Sequence, residues 1–580
     1  MLLASPATWI SQKASTMRTR IRTTGVLTSL ALALAIGTSC AAQAQIRPDA
    51  GQTLRELESM QPERPPQAPA PPLFPAQPAL APSGAADNVK VPALQAFRVT
   101  GAENVAPEEL QALLLPWLGR ELTVGELKQA ANSITQLYRE RGYMLARAYI
   151  PEQTIQDNTA EIAILEGRLG GLLLKNSTSI SDERLRAVGA SVEPGASIKE
   201  AALERGLLLL QDLPGVAAVE AALQPGQEVG DSDLVVAVKP APPISGIVDA
   251  DNHGNRFTGQ YRLGVSVNLN SMLGMGEQFS ARIQASNEKL YYGRLSYRMP
   301  LGSDGLMAGA ALATSHYELG EQFSALDASG RAHVASLFAS YPFIRSRNFN
   351  FSGGLSLEAK NLHDQIDIID LSSKKRSQQL RALLTANGFV GQAGYGMSLS
   401  LASGRLDIRS PAERQEDSIG ARTHGQFTKL AYSLNGNLPL SGPWSLSAFM
   451  SGQFASRNLD SSEKFFLGGA NGVRAYPQGE GVGDEGHLFT TELRYALPPD
   501  RSGQLTLGGF LDYGTVKLNR NPYATGDNRR NLSGLGVSAH WITQDKFQLR
   551  ASLAHKLGSE PALADRDRDW VFWMQGMFAF

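Results

Sequence analysis

The chain has 580 residues, 57 of them glycine, and only 19% are charged, a balance that suits strands and turns better than helix bundles. Its 54 basic and 55 acidic residues give a formal net charge of −1, which excludes the broadly basic surface of a nucleic-acid-binding protein. A chain of this length predicts several domains.

The amino terminus has the three parts of a secretory signal. A basic segment over residues 18–22 precedes an apolar segment over residues 25–36, which is too short to cross a bilayer well as a helix. Small residues around Ala44 then fit a cleavage site. We therefore predict a signal peptide over residues 1–44. It contains Cys40, the only cysteine, so the predicted mature chain depends on no disulfide.

Two short segments follow the predicted signal. Residues 45–60 predict an amphipathic helix with Leu54, Leu57 and Met60 on one side. A helix of this length is marginal in isolation, so something must hold it if it is ordered. Residues 61–92 are rich in proline and have no periodicity, which is typical of an extended linker or, as an alternative, of a proline-rich ligand.

The next two segments, residues 93–167 and 168–243, predict the same order of elements. Each has a strand, two helices and two further strands, so each is predicted to be a small α+β module. A Ser or Thr followed three residues later by Glu predicts the start of the second helix in each module: Thr123 with Glu126, and Ser197 with Glu200.

From Ile244 onward the sequence alternates apolar and polar residues in about sixteen segments. Leu263, Val265 and Val267, for example, alternate with polar or small neighbours. Apolar residues outside and polar residues inside are typical of a transmembrane barrel with a wet lumen. A soluble sandwich gives the same alternation, so this pattern alone does not decide between them.

The last twelve residues decide the fold class, together with the predicted signal and the lack of cysteine in the predicted mature chain. One face of this segment is apolar and largely aromatic and ends in Phe578 and Phe580. Such an edge is a hazard in a soluble protein, whereas a closed barrel pairs its last strand with its first. We predict α+β modules followed by an all-β, about 16-stranded antiparallel transmembrane barrel over residues 244–580. Phe578 and Phe580 are the candidate signal for barrel assembly.

Two motifs in the barrel region are candidates for function. The long connection over residues 457–486 contains Gly472-Val473-Arg474-Ala475-Tyr476, and a loop of this length is usually functional or disordered. One strand later comes Phe510-Leu511-Asp512-Tyr513-Gly514. The alternation places Phe510 and Asp512 on the inner wall, so an arginine from the loop could meet an aspartate of the wall inside the barrel.

These motifs resemble the Val-Arg-Gly-Tyr loop and the Phe-x-Asp-x-Gly wall motif of two-partner secretion transporters, the ShlB/FhaC/HecB family, whose superfamily includes BamA-type insertases. The resemblance implies that Gly472, Val473, Arg474 and Tyr476 belong to a pore loop, and that Phe510, Asp512 and Gly514 belong to the barrel wall. It also implies that Arg474 pairs with Asp512 and that the helix over 45–60 plugs the lumen. Ala475 departs from the family's usual glycine.

The resemblance further implies two POTRA modules, 93–167 and 168–243, that lie in the periplasm of a Gram-negative bacterium. They would capture an unfolded exoprotein, which the outer-membrane barrel would translocate to the cell surface. A groove lined by Leu127, Ile134, Tyr138, Leu145 and Ile150 is the candidate capture site, although the same helix residues also fit a plain hydrophobic core. The expected partners are a large cognate exoprotein, outer-membrane lipid and the barrel-assembly machinery.

Nucleic acid, nucleotide, cofactor and metal are not expected. The sequence has no P-loop, zinc-protease or serine-hydrolase motif, and its eight histidines are scattered, so we predict a transporter and not an enzyme. Two other functions stay open: a BamA-like insertase that assembles other barrels, and a lipid-remodelling barrel enzyme. The Arg474–Asp512 pair is predicted to be either a latch or a static structural ion pair.

Overall fold

The structure is a computed structural model that describes four parts of the chain: residues 48–59, 85–189, 195–228 and 230–580. The predicted signal peptide and most of the predicted linker lie outside these residues. Within them, none of the helices is both long enough and apolar enough to cross a membrane.

The described residues form six α-helices: α1 Ala50–Ser59, α2 Pro107–Leu114, α3 Val124–Glu140, α4 Asp182–Gly189, α5 Glu200–Gln211 and α6 Pro411–Ile419. Short 3-10 helices are Ala85–Asn88, Leu115–Trp117, Glu321–Leu326, Asp367–Ile369 and Ser461–Glu463.

The strands of the first module are β1 Lys90–Val91, β2 Ala96–Thr100, β3 Leu122–Thr123, β4 Arg147–Tyr149 and β5 Thr159–Leu165. Those of the second module are β6 Arg168–Asn176, β7 Val216–Pro225 and β8 Asp231–Pro240. The main sheets have the orders β2–β5–β4 and β6–β8–β7. The central strand of each sheet pairs in parallel with β2 or β6 and antiparallel with β4 or β7. The two modules therefore share one topology, as the repeated pattern predicted.

The two predicted capping boxes have different outcomes. At the start of α3, Glu126 N–H donates to Thr123 Oγ1 (3.2 Å) and Thr123 N–H donates to the Glu126 carboxylate (2.8 Å), which is the reciprocal pair expected. The box at Ser197 and Glu200 is wrong. The N-cap of α5 is Lys199, and Ser197 Oγ instead accepts a hydrogen bond from Asn104 of the first module (2.9 Å).

The remaining strands are β9 Ile244–Asp251, β10 Arg262–Asn270, β11 Gln278–Ser286, β12 Tyr291–Leu301, β13 Leu306–Glu318, β14 Ala328–Arg345, β15 Phe349–Ile366, β16 Leu371–Val390, β17 Ala393–Ile408, β18 Gly425–Pro439, β19 Trp444–Ala455, β20 Phe465–Phe466, β21 Val482–Gly483, β22 Glu485–Ala496, β23 Gln504–Lys517, β24 Arg529–Ile542, β25 Phe547–Leu557 and β26 Trp570–Ala579. All except β20 and β21 form one closed antiparallel barrel of sixteen strands, which confirms the predicted fold class.

The last strand closes the barrel. β26 pairs with β25 on one side and with β9 on the other, and Phe580 exchanges two backbone hydrogen bonds with Gly246 (3.0 Å each). Phe572, Phe578 and Phe580 point outward and are exposed, whereas Trp573 points inward and is buried. The alternation therefore separates a lipid face from a lumen face.

The second module sits on one end of the barrel, here called the module end. Arg345, at the end of β14, donates to both carboxylate oxygens of Asp212 (2.7 and 2.8 Å). Arg184 donates to the carbonyl oxygen of Pro300 near the end of β12 (2.5 Å). The connections β13–β14, β15–β16 and β17–β18 lie at the opposite, far end.

Candidate functional site

The connection between β19 and β22, residues 456–484, folds back into the barrel. Leu467, Val473 and Tyr476 are fully buried and pack with wall residues that include Val516 and Leu532. The short pair β20–β21 ties the two arms of this loop together. The loop is therefore a packed part of the lumen.

Arg474 of the loop meets Asp512 of β23. Its backbone N–H and Nε both donate to Asp512 Oδ2 (3.0 and 2.9 Å), and Nη2 donates to Oδ1 (2.8 Å). Asp512 is fully buried, and Nη1 adds a longer contact to Glu492 of β22 (3.3 Å). This is the bidentate geometry in which Arg–carboxylate pairs are strongest.

Two aromatic residues complete the surroundings of Arg474. Its guanidinium carbon lies 3.3 Å from the ring centroid of Phe510, so the planar cation stacks on the ring face. Trp573 Nε1 of β26 donates to the Arg474 carbonyl oxygen (2.8 Å). Ser538 of β24 also donates to Glu492 (2.7 Å). The loop tip is therefore surrounded by side chains of four strands: β22, β23, β24 and β26.

Two glycines of the wall make room for the loop. A Cβ on Gly514 would lie 2.2 Å from Leu467 Cδ1, and one on Gly534 would lie 2.4 Å from the Ala475 Cβ. Ala475 is absent from the described non-glycine residues with positive φ, so it does not strain the loop tip. The missing side chain of Gly534 leaves space for the Ala475 methyl group.

The remaining loop-motif residues hold the loop tip in place. Tyr476 Oη donates to the carbonyl oxygen of Glu560 (3.1 Å), and burial raises the pKa of Tyr476 to about 12. Val473 N–H donates to the Leu467 carbonyl oxygen (2.8 Å), and a Cβ on Gly472 would lie 2.1 Å from that oxygen. The tip is therefore a compact turn in which glycine is required at position 472.

Helix α1 lies inside the barrel, between the loop and the wall formed by β13, β14 and β15. Leu54 and Leu57 pack on the wall, as the amphipathic pattern predicted. Ala50 N–H donates to Asp364 of β15 (2.8 Å), and Ser461 Oγ of the loop donates to Asp49 (2.7 Å). The helix segment is therefore attached both to the wall and to the loop.

The base of the loop carries a second charge cluster. Glu463 is fully buried between Lys360 of β15 (2.9 Å) and Lys429 of β18 (2.7 Å). Burial alone would raise the pKa of Glu463, but these two ammonium groups outweigh that effect and hold it well below its usual range. Beside it, Asp460 pairs with Lys375 of β16 (3.0 Å).

The sequence reasoning missed this second cluster. Lys360 and Lys429 lie on the inward faces of their strands. The alternation of the strands is the one sequence feature that indicates this position. Glu463 lies about a hundred residues from Lys360 and belongs to no motif, so nothing local indicates the pairing.

The candidate capture groove is wrong for its helix side chains. Leu127, Ile134 and Tyr138 are buried in the core of the first module, and Tyr138 Oη donates to Glu166 (2.7 Å). Leu145 packs against the core of the second module, and Ile150 lies at the edge of the first core. The periodicity of α3 reflects its packing face, which was the alternative interpretation.

In the described ranges no three His, Cys, Asp or Glu side chains are grouped so that they could hold a metal ion.

Comparisons with known proteins place the chain among secretion proteins. A model of the haemolysin secretion/activation proteins ShlB/FhaC/HecB matches residues 230–540, and a model of the ShlB-type POTRA domain matches residues 93–167. The Heme/hemopexin transporter protein HuxB of Haemophilus influenzae (strain 86-028NP) is 28% identical over 567 residues, which are 96% of this chain and 99% of HuxB. The outer membrane transporter CdiB of Escherichia coli O6:K15:H31 (strain 536 / UPEC) is 24% identical over 77% of this chain and 76% of CdiB.

Solved structures agree on the fold. CdiB from Escherichia coli superposes with a TM-score of 0.70 at 18% identity, over 92% of this chain and 96% of that one. BamA from Haemophilus ducreyi, lacking its POTRA domains 1–3, gives 0.50 at 14% identity over 85% of this chain and all of the other. At such identities these superpositions show a shared architecture and nothing finer.

Proposed function

Because the chain belongs to the ShlB/FhaC/HecB family and is an outer-membrane two-partner secretion transporter with periplasmic POTRA modules, we propose that it captures an unfolded exoprotein with these modules and passes it to the cell surface through the barrel lumen. The module end of the barrel is the periplasmic end, and the far end faces outward. Two-partner secretion transporters work with a cognate exoprotein, which is the partner this chain requires.

The proposal rests on a wide barrel whose lumen is filled by a helix and a loop of the same chain. Sixteen strands enclose a space wide enough for an extended polypeptide. Here α1 and the loop occupy that space, and both are joined to the wall by side-chain contacts. Transport therefore requires that an exoprotein favour a state in which these contacts are released.

We propose that the Arg474–Asp512 pair is the latch of this change. The pair is buried and bidentate, so separating it leaves a charge without a partner and favours the closed loop. The chain carries no nucleotide-binding motif, so in this proposal the folding of the exoprotein outside the cell makes its passage irreversible.

Capture is proposed to use the edges of the module sheets. The edge strands are β2 and β4 in the first module and β6 and β7 in the second, although the start of β6 is already paired with the segment before α5. An extended peptide can add to such an edge through backbone hydrogen bonds, which do not need the side chains of α3. Leu127 and Ile134 are buried in the core, but their burial does not prevent a peptide from pairing with a sheet edge.

The first cargo class to test is an exoprotein connected with haem or haemopexin. HuxB, whose name refers to heme and hemopexin, matches 96% of this chain, whereas CdiB matches 77%. The similarity along the modules as well as the barrel supports a related cargo.

Deleting the gene tests the proposed function. We expect one large exoprotein to disappear from the culture medium while the other outer-membrane barrels keep their normal amounts. A general loss of barrels would instead indicate the BamA-like insertase and would contradict the proposal. Return of the exoprotein on complementation with the wild-type gene is the control.

A further inference from the structure

An apolar groove of about 1060 Å³ crosses the outer wall of the barrel between β11 and β18. Small residues such as Ala335 and Ala359 form its floor, and leucines such as Leu312 and Leu337 form its sides. These two leucines are 63% and 60% exposed, so most of the groove lining faces the bilayer and not the lumen. The groove is large enough to hold several acyl-chain segments, and the transport function makes no use of it.

A group of positive charges lies above the groove. Arg331 of β14 is the cross-strand partner of His363, and His363 is the partner of Lys374 of β16. Arg376 follows two residues after Lys374 and so shares its face. Arg405 of β17 lies at the edge of the groove itself. Arg331, Lys374, Arg376 and Arg405 are called the cationic patch.

The patch lies on the external side of the apolar band. β14 begins at the far end of the barrel and ends at Arg345, which contacts the second module. Arg331 and Leu337 share the outer face of this strand and are six residues apart, which is about 20 Å along a strand. The charges therefore stand at the level of the outer-leaflet headgroups, with the leucines below them among the acyl chains.

Carboxylates are few around the patch, and Asp407 of β17, the cross-strand partner of Arg376, is the nearest by register. In the parts of the chain that the structure describes, none of its four residues forms an ion pair, and Arg376 Nε is buried without a hydrogen-bond partner. Asp407 forms its ion pair with Arg409 (3.5 Å) and not with Arg376, and Glu318 pairs with Lys289. Adjacent cations repel one another, so this arrangement favours an external anion.

We propose that the cationic patch and the groove form a binding site for lipopolysaccharide, the phosphorylated glycolipid of the outer leaflet. Its phosphate groups contact the patch and its acyl chains lie in the groove. Basic side chains next to an apolar membrane surface are the known recognition chemistry for anionic lipids. A soluble anion would use only the upper half of this surface, whereas a phosphorylated lipid uses the charges and the groove together.

The test is direct binding of diphosphoryl lipid A to the purified full chain in detergent, measured by native mass spectrometry. The charge-removed variant combines Arg331→Gln, Lys374→Gln, Arg376→Gln and Arg405→Gln. We expect its affinity to fall by about tenfold or more, since each basic side chain near an anionic lipid contributes measurably. A matched control removes four exposed cations elsewhere and should bind as the wild type does: Arg501→Gln, Arg529→Gln, Lys546→Gln and Arg568→Gln.

Two further arms separate lipid recognition from misfolding and from simple anion binding. A variant with Arg331→Lys, Arg376→Lys and Arg405→Lys keeps the charges and should keep the affinity. On the wild-type protein, lipid A stripped of its phosphates should bind more weakly than diphosphoryl lipid A, and inorganic phosphate should compete poorly. Equal binding of both lipids to the wild type, or undiminished binding by a correctly folded charge-removed variant, would overturn the proposal.

Discussion

At the scale of single residues, the centre of the molecule is the buried cation of Arg474. It is held by Asp512 and Glu492, stacks on Phe510 and accepts a hydrogen bond from Trp573 at its own carbonyl. Removing one member of such a buried pair typically costs about 3–5 kcal/mol because the other charge stays without a partner. The closed loop is therefore stable, and its release needs a competing interaction.

Arg474→Ala and Asp512→Ala should each impair secretion strongly while the barrel still assembles. The reason is that either change leaves an unpaired charge in the lumen and loosens the loop. The measurement compares exoprotein in the medium with the heat-dependent gel migration of the folded barrel.

Arg494→Ala is the matched control for this prediction. Arg494 also pairs with Glu492 (3.1 Å) but is much more exposed than Arg474, so its loss should leave secretion close to normal. Full secretion by both latch variants would remove the proposed role of the pair.

Gly534→Ala should displace the loop, because the added methyl group would lie 2.4 Å from the Ala475 Cβ. Overpacking of this kind typically costs about 1–3 kcal/mol. Adding Ala475→Gly in the same chain should restore loop docking and secretion. Limited proteolysis of the loop reads out docking, and a double variant no better than Gly534→Ala alone would refute the explanation.

The sequence predicted the Arg474–Asp512 contact because both residues stand in short motifs, and strand parity placed Asp512 inside. It did not predict that Glu463 joins Lys360 and Lys429, since that contact depends on how the loop folds back. It also predicted that Ser197 caps α5, whereas the Ser197 hydroxyl accepts a hydrogen bond from Asn104 of the first module. Local rules failed where a distant element supplied the partner.

At the scale of elements, α1 depends on its surroundings for its stability. Ten residues do not form a stable helix alone, so the wall contacts of Leu54 and the hydrogen bonds at Asp49 and Ala50 hold it. Gly51 permits the close approach, because a Cβ there would lie 2.5 Å from Ser461 Oγ. Release of the loop therefore removes one of the supports of the helix.

A covalent tie between α1 and the loop should block transport. The pair Asp49→Cys and Ser461→Cys replaces side chains whose oxygen atoms are 2.7 Å apart. Oxidation should trap the closed lumen and stop secretion, and a reducing agent should restore it. Each single cysteine variant serves as a control, and normal secretion by the fully oxidised double variant would show that α1 need not leave the loop.

Docking of α1 should weaken as the pH rises. Burial raises the pKa of Glu56 from 4.5 to about 7, although the Gln52 amide and Arg262 lower it in part. Below pH 4.5 Glu56 is protonated whether the helix is docked or released, and docking is strongest. Between pH 4.5 and about 7, Glu56 loses its proton in the released form but keeps it in the docked form. The free energy of docking α1 therefore becomes less favourable by up to about 3 kcal/mol.

Channel openings in planar lipid membranes measure this effect. The wild type should open more often at about pH 8 than at about pH 5, following the raised pKa of Glu56. Glu56→Gln should reduce the difference, which separates the effect of Glu56 from that of nearby carboxylates such as Asp364. A pH dependence that is the same in both proteins would assign the effect to another group.

At the scale of the whole molecule, alternation along sixteen strands and the pairing of β26 with β9 follow from a sequence pattern of period two. The filled lumen could not be read from that pattern, because α1 and the loop are recruited from distant parts of the chain. In the proposed function, this lumen is the path of the exoprotein. A lateral route along the lipid face, as in an insertase, is the competing account.

Cross-linking of a stalled exoprotein distinguishes the luminal route from the lateral route. A photoreactive amino acid at Ser336 faces the lumen, and one at the adjacent Leu337 faces the lipid on the same strand. For the luminal route, the exoprotein should cross-link to position 336 and not to position 337. Cross-links at position 337 alone would contradict it.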